Sequence, residues 1–91
     1  MSSRIRPHPE VLVQELPDGD AVLLHMETET YFSLDKVGTR MWNTLAETGD
    51  VELAATELLE VYDVGDERLR SDLNDLVDRL AEQGLLEVSD E

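Results

Sequence analysis

The residues of this chain that could do chemistry are two histidines, a few serines and several groups of carboxylates. A nucleophilic serine needs a base within hydrogen-bond reach. Ser33 and Ser71 have no histidine near them in sequence, so such a pair would have to be assembled from distant parts. His25 falls in a stretch that reads as a strand, where a structural or surface role is expected. His8 and His25 are far apart in sequence, and no carboxylate spacing around them suits zinc. Cysteine is absent, which removes disulfides, a thiolate nucleophile and thiolate metal sites. Asp63, Asp66 and Glu67 lack the alternating ligand pattern of a calcium loop and read as helix-capping, solvated groups. Asp72, Asp75, Asp78 and Glu82 lie beside an apolar helical face and read as its solvated flank. Five scattered glycines form no phosphate-cradling loop. Neither catalysis nor a cofactor or metal is expected.

Binding has a better candidate. Residues 30–34, Thr-Tyr-Phe-Ser-Leu, have high β propensity and contain neither Pro nor Lys, the usual devices that blunt a sheet edge. An open edge of this kind accepts an extended peptide as an added strand. A helix alongside would complete a groove, and Leu69, Leu73, Leu76 and Leu80 at helical spacing supply either its wall or simply core.

The elements that would position this edge follow from the pattern. Residues 10–16 and 21–26 read as two strands joined by the Pro17-Asp18-Gly19-Asp20 turn, and residues 30–34 as a third. The period then becomes helical. Leu34, Val37, Gly38, Met41, Trp42 and Leu45 share a face, with Asp35 as N-cap. Gly49 breaks the chain, Asp50 caps a second helix over 50–62, and Gly65 stops it. Asp66 caps a third helix over 66–83, which Gly84 ends. Residues 85–88 could add a short closing strand. Residues 1–9, with Pro7 and Pro9, read as a flexible N-terminal arm, residues 10–88 as a single domain and residues 89–91 as an acidic tail. Strands followed by helices predict an α+β fold, a three-stranded antiparallel sheet followed by three helices in a winged helix-turn-helix-like arrangement.

Ninety-one residues suffice for one domain, and 41% hydrophobic content is ordinary for a globular one. The net charge of −15, from 22 acidic and 7 basic residues, opposes contact with phosphates or anionic membranes. The third helix carries six carboxylates against Arg68, Arg70 and Arg79, so a DNA-reading role is not expected despite the helix-turn-helix proportions. Partners should be basic or neutral. No apolar run of about 18 residues predicts a membrane span, the N-terminus does not read as a signal peptide, and a cytoplasmic location is expected. Six of the seven basic residues are Arg, a composition that suits a GC-rich genome such as an actinobacterium's.

The stretch Tyr31-Phe32-Ser33-Leu34-Asp35-Lys36-Val37-Gly38-Thr39-Arg40-Met41-Trp42 resembles the signature of the pyrroloquinoline quinone synthesis protein D family. That signature has paired aromatics, a polar residue, Leu-Asn, two residues, Gly, and an apolar residue before Trp. Asp35 stands here in place of Asn and keeps the capping chemistry. The resemblance continues through Val51-Glu52-Leu53, Tyr62-Asp63-Val64, Asp72-Leu73, Leu76, Leu80 and Gly84-Leu85, spanning about residues 10–88. It implies a non-catalytic recognition element for ribosomally synthesised, post-translationally modified peptides. Such elements bind the leader of a precursor peptide against the third strand and third helix. Carried over by position, Thr30, Tyr31, Phe32 and Ser33 would contact the leader. Leu69, Asp72, Leu73 and Leu76 would form the helical wall, and Leu24 would help floor the groove. Asp72 would meet a basic or hydroxyl group, whereas Met41, Trp42 and Leu45 would be core.

No catalytic domain is fused to these residues, so a separate subunit that delivers its peptide to other proteins is expected. In a lasso peptide pathway the partners would be a transglutaminase-like leader peptidase and an asparagine-synthetase-like cyclase. In quinone cofactor synthesis the partner would be a radical SAM enzyme. A generic protein-interaction module is a further alternative, and pairing of copies through the open edge would give a homodimer.

Overall fold

The β-branched and aromatic residues of the first third of the chain form strands, and the Leu- and Ala-rich remainder forms helices. The computed structural model describes residues 3–90. The elements run β1 (Ser3–Pro7), β2 (Val11–Glu15), β3 (Ala21–His25), β4 (Thr30–Leu34), α1 (Lys36–Thr48), α2 (Val51–Val61), α3 (Asp66–Glu82) and β5 (Leu86–Asp90). Strands β2, β3 and β4 make an antiparallel meander with β3 in the middle. The expected α+β, winged helix-turn-helix-like fold is therefore present.

Alternation along β3 separates the two faces of this sheet. Ala21, Leu23 and His25 are buried, while Val22 and Leu24 are not. The buried face meets the core, which gathers Leu23 and Leu34 from the sheet with Trp42, Leu45, Leu58, Leu69, Leu73 and Leu80 from the helices. Val37, expected on the core face of α1, is exposed. It sits in the first turn of the helix, while Thr39, Met41, Trp42 and Leu45 form the buried face.

The signature around Leu34 to Gly38 is a helix start. The Asp35 carboxylate accepts the Gly38 amide at 2.7 Å, satisfying one of the amides that the first turn leaves without a helical partner. A Cβ on Gly38 would sit 3.2 Å from that carboxylate oxygen and 3.3 Å from Leu34 Cδ2, so the site suits glycine. Asp50 caps α2 in the same way, accepting from Glu52 at 2.8 Å and Leu53 at 3.2 Å. Gly49 ends α1 at φ 69°, a left-handed position that favours glycine.

Helix α3 starts differently from the expectation. Gly65 occupies the cap position without a side-chain bond, and Asp66 is the first helical residue. Its carboxylate takes Arg70 Nε at 2.5 Å, and Arg70 also reaches Glu52 of α2 at 2.7 Å. One guanidinium thus ties α2 to α3. The two carboxylates hold the Arg70 proton, Asp66 foremost, and raise its pKa above the ordinary value.

The chain ends correct the expected arm and tail. Residues 3–7 form β1 and residues 86–90 form β5, and the two pair antiparallel from Ser3↔Asp90 to Pro7↔Leu86. Ile5 is 5% exposed and belongs to the core. Its apolar side chain anchors the strand, while Arg6 bonds Glu87 across the ribbon at 2.7 Å. The outermost positions of the expected arm and tail, residues 1, 2 and 91, lie outside the described residues. No described helix is long and apolar enough to cross a membrane.

Candidate peptide-binding site

Strand β4 is an outer strand of the meander, bonded to β3 on one side only. Its strongest packing is on β3 and α1, whereas that of α3 is on α2 and β5. The Leu34–Gly38 cap described above turns the chain out of β4, and the 26–29 turn brings it in. In that turn the buried His25 accepts the amides of Glu27 and Thr28 at its Nδ1, at 3.2 and 3.3 Å, which ties the loop to the end of β3. Glu29 follows at φ 59°, its amide bonded to the His25 carbonyl at 2.8 Å.

The expected third-strand contacts divide by face. Thr30 and Phe32 are half-buried and point with Leu34 toward the core side, and Phe32 packs on the core's margin. Tyr31 and Ser33 are exposed on the opposite face. Leu24, expected to floor a groove beside α3, lies on that opposite face too, directly across from Tyr31. Its neighbours Leu23 and His25 take the core side because side chains alternate along a strand.

The expected helical wall divides as well. Leu69 is 3% and Leu73 0% exposed, and both are core residues. The i, i+4 stripe they form faces the core on the side of α2 and β5, which leaves the next residues round the helix at the surface. Leu76 is half-buried on the margin of the core, and Asp72 is exposed. These two, with Met41, Asp75 and Arg79, border a hollow of about 240 Å³ between α1 and α3. Met41 was expected only as core. It is buried, yet it forms part of the hollow's floor. No sequence signal separates it from Trp42 and Leu45. Asp72 also meets Arg68 at 3.7 Å, an exposed i, i+4 pair worth little in water. A basic or polar ligand group would still find Asp72 and Asp75 accessible.

The structure joins His8 and His25, which sequence distance kept apart. Their ring centroids lie 4.4 Å from each other. His8 Nδ1 accepts the Glu10 amide at 3.0 Å, so each imidazole serves a turn. Among the described residues no three His, Asp or Glu side chains converge in a way that could hold a metal ion.

The sequence profile of the family described as Coenzyme PQQ synthesis protein D (PqqD) matches residues 20–86, from the residue before β3 to the start of β5. The chain belongs to this family. Two solved structures resemble it over nearly their whole length. TbiB1 in complex with the TbiA(beta) leader peptide is 34% identical, with a TM-score of 0.84 over 94% of this chain and 99% of that one. A lasso peptide synthetase B1 complexed with the leader peptide is 25% identical, with a TM-score of 0.80 over 92% of this chain and 98% of that one. A search of curated proteins gives no match. The PqqD profile begins after β2, so it takes in β3, β4 and the three helices and leaves out β1 and β2.

Proposed function

We propose that this protein is a non-catalytic recognition element of a lasso peptide pathway. It binds the leader of a ribosomally made precursor as an added strand on β4, beside α3, and delivers it in the cytoplasm to the processing enzymes. The carrying observation is that both similar solved structures are complexes with a leader peptide. The open edge of β4 and the hollow between α1 and α3 supply the chemistry such a ligand needs. Backbone groups on β4 give affinity, and alternate side chains entering the hollow give specificity. The enzymes receiving the leader are a transglutaminase-like leader peptidase and a cyclase. The family description favours a second reading of the partner alone, a radical SAM enzyme of quinone cofactor synthesis.

Calorimetric titration with synthetic leaders from short reading frames beside the gene tests the reading. Binding tighter than about 10 μM, roughly 7 kcal/mol, is expected. It should weaken with salt if basic leader groups meet this chain's net charge of −15. A folded protein that binds none of these leaders would remove the proposal. Copurification with the peptidase or with the radical SAM enzyme separates the two partner readings.

A further inference from the structure

The face of the meander that points away from the core is apolar along one row, while the next row carries two polar residues about a valine. Leu12 of β2, Leu24 of β3 and Tyr31 of β4 lie directly opposite one another across the strands. All three are exposed, and Tyr31, at 71%, is the most exposed of the large hydrophobic side chains described. The neighbouring row is Gln14, Val22 and Ser33. A cavity of about 510 Å³ opens over this face along Leu12, Leu24 and Tyr31. None of the six residues in the two rows is charged, although the chain carries 22 acidic residues.

A strand added beyond β4 continues both rows. Its side chains alternate, so those not entering the hollow emerge on this outer face, two residues apart. One of them extends the row that ends in Tyr31, and the next extends the row that ends in Ser33. Aromatic–apolar neighbours across strands attract, whereas a carboxylate set beside Tyr31 meets the ring's negative face and this chain's net charge of −15 without gaining a partner.

We infer that Tyr31 is a specificity determinant, selecting an apolar side chain at one outward-facing position of the bound leader. The leader is thus read on both sides of the sheet, by the α1–α3 hollow and by the Leu12–Leu24–Tyr31 row. The position two residues away, beside Ser33, tolerates polar groups. This inference rests on the reading that β4 takes a leader strand, and it adds the side of the strand remote from α3.

The test is a substitution scan of the synthetic leader, each position changed in turn to Ala, Asp and Lys. Affinities are measured against the unaltered protein, Tyr31→Ala and Leu24→Ala, with circular dichroism confirming the fold. One leader position should lose about two- to fivefold on change to Ala, and more on change to Asp. In Tyr31→Ala that loss should disappear, and in Leu24→Ala it should shrink. The position two residues away should show no such coupling. A leader that binds the unaltered protein but has no position coupled to Tyr31 would overturn this inference and leave the proposed function standing. So would a coupled position at which Asp binds as well as the native residue. Absence of leader binding by the folded protein would remove both.

Discussion

The two sheets of this molecule treat their edges in opposite ways. In the β1–β5 ribbon, β1 bonds β5 on one side and the α1–α2 corner on the other. Ile5 donates its amide to the Gly49 carbonyl at 3.0 Å, and Arg4 bridges Asp50. Its surface side chains include Arg4, Arg6 and Glu87, and Pro7 removes one donor. In the meander, β4 has one bonded side, and Tyr31, Phe32 and Ser33 stand where charges or Pro would discourage a visitor. The comparison teaches that the short strands of this fold are not interchangeable. One ribbon holds residues 3–7 and 86–90 to the core, and the outer strand β4 carries the edge proposed for the leader.

The largest effect should come from testing which leucines of α3 belong to the core and which to the ligand. Leu73 is fully buried, so Leu73→Asp places a carboxylate among apolar groups and should unfold the domain, and Leu73→Ala should cost about 2–5 kcal/mol in urea denaturation. Leu76→Asp, on the margin of the hollow, should leave a folded protein whose leader affinity falls by tenfold or more, about 1.4 kcal/mol. A folded Leu73→Asp protein would break the division. Next comes the closed ribbon. Ile5→Ala should cost about 2–4 kcal/mol, because β1 is part of the core and not an arm. A cost within experimental error would return β1 to the status of a loose arm.

Smaller effects sharpen the contrast. Asp35→Ala removes the cap that ends β4 and starts α1, and should cost about 1 kcal/mol in thermal or urea melts. The smallest effect concerns Glu87. Its hydrogen bond from Arg6, with the Arg6 charge, holds its carboxyl below the ordinary 4.5. A carboxyl with a depressed folded-state pKa stabilises the fold above its unfolded value, and that contribution is lost as pH falls through the lower folded value. Arg6→Gln should therefore flatten the acid side of the stability profile below about pH 4.5 while leaving neutral-pH leader affinity unchanged. A parallel shift at every pH would show that the pair is not the source.

The meander and the helices were legible because their signals are local. A Pro-Asp-Gly-Asp turn separates β2 from β3, and Asp35, Asp50 and Gly49 mark helix ends within a few residues of the periodic runs they bound. The ribbon was not legible, because β1 finds its partner about 80 positions away and its own sequence, with Pro7 and two arginines, reads as solvated chain. Only the buried Ile5 anchors it, and one apolar residue makes no period. The candidate site was half legible. Propensity and missing edge protection pointed to β4, but helical spacing alone could not say that Leu69 and Leu73 face inward while Leu76 borders the surface. The face that Leu24 takes was not legible, because it depends on the sheet's register and not on its hydrophobicity.

Pairing Ser3 with Asp90 makes the backbone a ring that lacks one short covalent closure. A linker of a few residues should join those positions, and the exposed turn around Gly19, at φ 97°, offers a place to open the ring elsewhere. In such a permuted chain β1 and β5 become the two arms of one hairpin, and the longest-range pairing of the fold becomes its shortest.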